Sequence, residues 1–152
     1  MSAETITEVN VQQAVPFLMV SNMEASLRYY VEGVGFEMKH KWIDEGKLAW
    51  CWLQLGGAAL MLQEYRAKGL EAAKSAGKFG NGVSVCFQCK DALAIYREIA
   101  ARGIETKEPF VGNHMWVVGM SDPDGYRIEF ESPTDVEEET KYSEWKGEAE
   151  RR

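Results

Sequence analysis

The chain has no run of about 18 apolar residues, the length that reads as a membrane-spanning helix. Its first residues, "MSAETITEVN", lack the basic, apolar and small-residue succession of a secretory signal, so a cytoplasmic location is the expectation. Cysteine is scarce: Cys51, Cys86 and Cys89 are odd in number and follow no framework spacing, which argues against a disulfide scaffold and for reduced thiols. Basic residues are outnumbered, 17 Lys and Arg against 24 Asp and Glu, and the formal charge is -7. Neutralising a phosphate backbone needs clustered cations, so nucleic acid is a poor partner. There is no nucleophile elbow or Ser-His-Asp arrangement, and "GNG" at residues 80–82 is too short for a phosphate loop.

What the sequence does hold is apolar residue in quantity for one domain: 45% of 152 residues are hydrophobic and 27% charged. The domain is expected over residues 1–135, with a charged C-terminal tail at 136–152 that reads as solvated, frayed or loosely docked around Tyr142 and Trp145. Inside the domain the chain is written twice. "VPFLMVSNMEASLRYYVEGVGFE" and "SVCFQCKDALAIYREIAARGIE" each run from an apolar strand through a helix-start residue and an amphipathic helix to a Gly stop. Asn22 and Asp91 stand 69 apart, Gly35 and Gly103 stand 68 apart, and so do Gly57 and Gly125.

Each half reads as β-α-β-β-β, module 1 over about 13–66 and module 2 over about 82–132. In module 1 the expected strands lie near 15–20, 36–43, 47–54 and 58–64, with a helix at 23–33 started by Asn22 and stopped by Gly33 or Gly35. In module 2 they lie near 83–89, 104–108, 114–121 and 126–131, with Asp91 as the helix cap. The connector "RAKGLEAAKSAGKFGNG" has room for one short helix. Two half-sheets with a helix on one face each must cover the other face, and curving towards one another encloses a cleft. The predicted class is α+β, two tandem β-α-β-β-β modules whose curved mixed half-sheets enclose that cleft.

Period-2 alternation assigns the cleft walls. Module 1 places Val15, Phe17, Met19, Trp50, Trp52, Ala59, Met61 and Gln63 on one face. Module 2 places Ser84, Cys86 and Gln88 on its first strand. If "DPDG" is a four-residue turn, Ser121 faces Tyr126, and His114, Trp116, Val118 and Met120 share the face of Arg127 and Glu129. His114 then begins its strand at the cleft rim, in reach of a ligand hydrogen bond or acid–base role. Cys86 and Cys89, three apart on a strand, point to opposite faces and cannot bridge or chelate together. His40, beside an exposed hairpin, reads as a surface residue.

At this point the chain resembles the vicinal oxygen chelate superfamily of glyoxalase I, extradiol dioxygenases and bleomycin resistance proteins. The resemblance is carried by the opening "VPFLMVSNMEASLRYYVEGVGFE", the closing "DPDGYRIEF" and the duplicated pattern, over roughly residues 13–132. In metal-dependent members the resemblance implies ligands at positions that fall here on Val15, Met61, Ser84 and Glu129. Only Glu129 is a donor of the required kind, so no resident metal and no other cofactor are expected. The resemblance also implies a homodimer.

Two functions follow as expectations. One is metal-independent binding, as in bleomycin resistance proteins, of an aromatic or cationic small molecule among Phe17, Trp50, Trp52, Met61, Gln63, Ser84, Trp116, Arg127 and Glu129. The other is a lyase, isomerase or dioxygenase related to glyoxalase I, with Glu129 as an isolated base or metal ligand and His114 as a second catalytic candidate.

Overall fold

A computed structural model describes residues 10–77 and 79–151, with side chains to residue 146. In chain order the elements are β1 (Phe17–Val20), α1 (Met23–Leu27, continued by a π-helical segment Arg28–Val34), β2 (Glu37–Asp44), β3 (Lys47–Leu55), β4 (Ala58–Glu64) and α2 (Ala67–Ser75). There follow β5 (Ser84–Gln88), α3 (Ala92–Ala101), β6 (Phe110–Gly112), β7 (Met115–Ser121), β8 (Arg127–Pro133) and α4 (Tyr142–Arg151). The strands form two four-stranded sheets of identical order, β1-β4-β3-β2 and β5-β8-β7-β6. In both, the first and last strands of the module pair in parallel and the others antiparallel. The expected α+β duplication is therefore the fold. No described helix is long and apolar enough to cross a membrane.

Local signals explain the element boundaries. The side chains of Asn22 and Asp91 each accept a hydrogen bond at 3.0 Å, from Ala25 N and Ala94 N, which satisfies one free donor at each helix start. Gly35, at φ 106, makes the left-handed stop after the π-helical segment. Gly33, the other candidate stop, packs instead beside the Ile104 side chain, where a Cβ would lie 2.8 Å from Cγ1. The strand expected at 104–108 does not form. That stretch keeps one backbone bond to β7, Lys107 N to Gly119 O at 2.9 Å, and the ladder resumes as β6 only beyond Pro109, which has no N–H to donate. The connector contains α2, and none of that helix's residues is buried.

One face of each sheet lies in a common core. Leu18, Val20, Leu53, Leu60 and Leu62 from the first sheet and Val118, Met120, Ile128 and Phe130 from the second belong to one buried cluster. The modules are also joined by specific contacts. The rings of Phe36 and Phe87 meet edge-on at 5.8 Å, Tyr30 Oη donates to Asp122 at 2.7 Å, Tyr126 Oη donates to Met19 O at 2.8 Å, and Ser21 N donates to Asp124 at 3.0 Å. The "DPDG" turn thus ties the two halves together. Gly80 passes against it so closely that a Cβ would sit 2.6 Å from Tyr126 Cα and overlap the Gly125 carbonyl. Backbone cannot move aside as a side-chain tip can, so Gly80→Ala is expected to cost about 1–3 kcal/mol by overpacking, read as a lower urea midpoint with an unchanged m-value.

The tail differs from its expected looseness. Tyr142 N donates to Pro109 O at 2.9 Å, the Tyr142 ring lies 5.1 Å from Tyr96, and the Trp145 ring lies 5.5 Å from Trp116. A charged sequence with two aromatics spaced i, i+3 thus docks as an amphipathic helix on module 2.

Candidate functional site

The uncovered face of each sheet carries the residues that alternate with the core. On the first sheet, register sets Phe17 beside Met61, Met61 beside Trp52, and Met19 and Trp50 on either side of Gln63. Across the next strand His40 and Trp42 stand opposite Trp52 and Trp50, with the His40 and Trp52 rings 6.3 Å apart. Phe17, Trp50, Trp52, Met61 and Gln63 therefore do share one face. Trp42 extends it; alternation within "KHKWID", together with the hairpin at "DEGK", was the signal that could have found it. This wall is open in the single chain, with Phe17 46% and Trp42 48% exposed.

The open face of the second sheet has the opposite chemistry. Ser84 pairs with Arg127, Cys86 with Glu129 and Gln88 with Glu131. The repeat offset maps the pair Phe17–Met61 onto Cys86–Glu129, and Met19–Gln63 onto Gln88–Glu131. Duplication of the backbone has thus placed a thiol, an amide and two carboxylates where module 1 has an aromatic ring, two thioethers and an amide. Glu129 is not the isolated group expected from the sequence, because Arg127 donates to it at 3.0 Å and Glu131 stands on the same face two residues on. Gln88 Nε2 donates to Glu131 at 2.9 Å and to Cys86 Sγ at 3.3 Å. Glu131 was missed because the recognised motif ends at Phe130, one residue before it, yet its period-2 relation to Glu129 was readable.

The Cys86 thiol is pushed up to about 11, by burial first and then by hydrogen bonding and charge at Glu131, so it is protonated at neutral pH. Cys89 lies just past the end of β5, its Sγ 3.3 Å from the Glu131 carbonyl oxygen, and burial raises its thiol as well. All three cysteines are free, and neither thiol of "CFQC" has the lowered value of a redox nucleophile. A depression of about 430 Å³ is lined by Cys86, Gln88, Cys89 and Ile95 on one side and by Leu55 and Gly57 of the β3–β4 hairpin on the other.

Two candidates lie elsewhere. Trp116 is 5% exposed on the core-facing side of β7, opposite Ser132 and against Trp145. The reason is the turn length. Asp122 N bonds Tyr126 O at 2.9 Å, so the pairing closes around Pro123-Asp124-Gly125 and Ser121 faces Arg127 rather than Tyr126. A one-residue slip moves every side chain of a strand to its other face. Val117, Gly119 and Ser121 consequently stand beside Glu131, Glu129 and Arg127, while Trp116, Val118 and Met120 turn inward. His114 is not in β7 but in the turn before it, exposed, at φ 63, with its N–H held by Glu138 at 2.9 Å. Five residues separate it from Gly119, the partner of Glu129, which is about 17 Å along a strand.

The donor set at the metal positions implied by the resemblance does not fit a hard divalent ion. Val15 and Met61 offer no oxygen or imidazole and Ser84 offers a neutral hydroxyl, which leaves Glu129 as the one carboxylate among the four positions.

Comparison with known proteins agrees with this architecture. The family described as Glyoxalase/Bleomycin resistance protein/Dioxygenase superfamily matches residues 10–130. TnmS3, an antibiotic binding protein from Streptomyces sp. CB03234, is 21% identical with a TM-score of 0.60, covering 82% of this chain and 98% of its own. A bleomycin-binding protein complexed with bleomycin is 20% identical with a TM-score of 0.61, covering 80% and 98%. TioX from Micromonospora sp. ML1 is 17% identical with a TM-score of 0.63, covering 81% and 99%. No curated protein sequence matches the chain.

Proposed function

The chain belongs to the glyoxalase/bleomycin resistance protein/dioxygenase superfamily, and on that premise we propose that it is a metal-independent small-molecule-binding protein that sequesters an aromatic or cationic ligand. The carrying observation is the division of the two open faces into an aromatic wall with Phe17, Trp50, Trp52 and Met61 and a polar, acidic wall with Ser84, Arg127 and Glu129. Stacking on Trp faces and a carboxylate opposite them suit a flat ring bearing positive charge. Structural neighbours described as antibiotic- and bleomycin-binding support sequestration.

A homodimer completes the cleft in this reading. In one chain Phe17, Trp42 and Phe110 remain close to half exposed. Burying the rest of each ring is worth roughly 1 kcal/mol. Because each chain carries one apolar and one polar wall, a two-fold arrangement can set the aromatic face of one copy against the acidic face of the other, twice over. Metal independence is supported by the single carboxylate among the four family positions.

The enzyme reading takes Glu129 as an isolated base or as a metal ligand, with His114 as a second candidate, and the other three family metal positions hold Val15, Met61 and Ser84. Arg127 removes the isolation and the distance along β7 separates His114 from Glu129, so no observation favours this reading.

The test is Trp fluorescence with chelator present, using N-methylacridinium and neutral acridine as probes. Trp42, Trp50 and Trp52 lie on the open face and Trp116 packs against Trp145 elsewhere. Saturable quenching is expected, tighter for the cation, and Trp116→Phe should leave the quenched amplitude intact. Quenching that disappears in Trp116→Phe, or none across a wider aromatic panel, would count against the reading.

A further inference from the structure

The polar wall carries one arrangement that ligand stacking does not use. Cys86 Sγ and carboxylate oxygens of Glu129 and Glu131 all lie within 4.8 Å of one another. Register produces this: Cys86 stands directly beside Glu129 on the parallel neighbour, and Glu131 follows on the same face, next to Gln88. Donors bound to one tetrahedral ion at about 2.0–2.3 Å sit about 3–4 Å apart. Bringing these three onto a shared ion takes side-chain rotations that release Gln88 Nε2 from Glu131 and Cys86.

The set is distinct from the superfamily positions, of which it includes only Glu129. It is shifted one open-face row along β5, from Ser84 to Cys86, and adds Glu131 in place of anything from module 1. The repeat mates of the trio are Phe17, Met61 and Gln63, which offer no comparable set. Access is open, because Cys86 is exposed. Arg127 holds Glu129 through Oε1.

We propose that Cys86, Glu129 and Glu131 form a binding site for a thiophilic divalent cation of the Zn²⁺ and Cd²⁺ class, on the same wall as the proposed ligand cleft. One thiolate and two carboxylates supply three anionic donors and leave a fourth position for water, as in three-ligand zinc sites. Sulfur selects against Mg²⁺ and Ca²⁺, which take oxygen donors in larger number. On binding, the Cys86 S–H bond breaks, its proton leaves to solvent and the sulfur lone pair passes to the ion; no electron transfer is involved. The ion occupies the carboxylates that a cationic ligand would use. Metal and ligand therefore compete, the reverse of a metal-dependent relative; this competition rests on the cleft reading, whereas the metal site itself does not.

The test uses the full chain titrated with Cd²⁺, read by thiolate-to-metal charge-transfer absorption, and with Zn²⁺ as displacer. One equivalent per chain is expected, with the absorption lost in Cys86→Ser and kept in Cys89→Ser. Glu131→Gln should weaken binding by at least the roughly 10–100-fold that loss of an outer-shell partner already costs. Ser84→Ala should bind Cd²⁺ as the parent does. Far-ultraviolet circular dichroism checks that Cys86→Ser is folded, as an exposed position should allow. Absorption that survives in Cys86→Ser, or that depends equally on Cys89, overturns the site. Failure of Cd²⁺ binding with N-methylacridinium quenching intact overturns this proposal alone, and the opposite pattern overturns the ligand reading alone. Quenching undiminished by saturating Zn²⁺ overturns the competition.

Discussion

Asp122→Ala is expected to destabilise the protein by about 3–5 kcal/mol, a large share of the roughly 5–15 kcal/mol that holds a domain of this kind together. Asp122 is 5% exposed and its carboxylate accepts three hydrogen bonds: from Tyr30 Oη at 2.7 Å, Asp124 N at 2.9 Å and Tyr126 N at 2.9 Å. Truncation leaves three donors without an acceptor, two of them backbone groups in the turn that ties module 2 to module 1. Tyr30→Phe removes only one donor and leaves the other two bonds in place, so about 1–2 kcal/mol is expected. Urea unfolding of both variants checks this. A loss below about 1 kcal/mol for Asp122→Ala would show that the turn is held by something else.

The same carboxyl has a pH signature. Burial is the larger influence and pushes Asp122 above its ordinary 3.8, while the Tyr30, Tyr126 and Asp124 donors pull it down. Between the ordinary and the raised value the native state holds more of the proton than the unfolded state does. The stability contributed by this group is therefore fullest below 3.8 and declines as pH rises through that window. Asp122→Asn should flatten this segment of the stability profile, and the difference between parent and variant profiles is the measurement.

The second large effect concerns the cleft walls. Trp52→Ala and Glu129→Gln are each expected to weaken N-methylacridinium binding by roughly tenfold to a hundredfold, through loss of a stacking face and of a charged partner. Both positions face away from the core, so unfolding free energies should stay within about 0.5 kcal/mol of the parent. That separation is what distinguishes a binding residue from a structural one. Equal affinity in both variants would remove the two walls as the site.

Much of the architecture was legible because a duplicated pattern constrains itself. Two Asx caps, two left-handed glycines and two apolar first strands at offsets of 68 to 69 residues made both β-α-β-β-β modules and the open face of module 1 readable. What escaped were features set by a single residue. Whether Asp122 joins the ladder or the loop decides which face Trp116 takes, and that depends on a carboxylate satisfied by Tyr30, 92 residues away. Composition cannot report such a long-range bond. Pro109 similarly displaced β6, since the apolar residue Ile104 packs against Gly33 rather than starting a strand. The docking of α4 depended on Trp116 facing the core side, so missing one carried the other. Glu131 was in plain view but stood beyond the end of a familiar motif.

Mixing the two cleft variants tests the central claim most directly, namely that an aromatic wall and an acidic wall from different copies enclose one ligand. Trp52→Ala and Glu129→Gln chains are unfolded together, refolded, and titrated with N-methylacridinium. In a mixed dimer one cleft carries both defects and the other carries neither. With statistical pairing, about a quarter of all clefts should regain parental affinity. A titration equal to the sum of the two separate variants would contradict the claim, because walls within a single chain cannot complement one another.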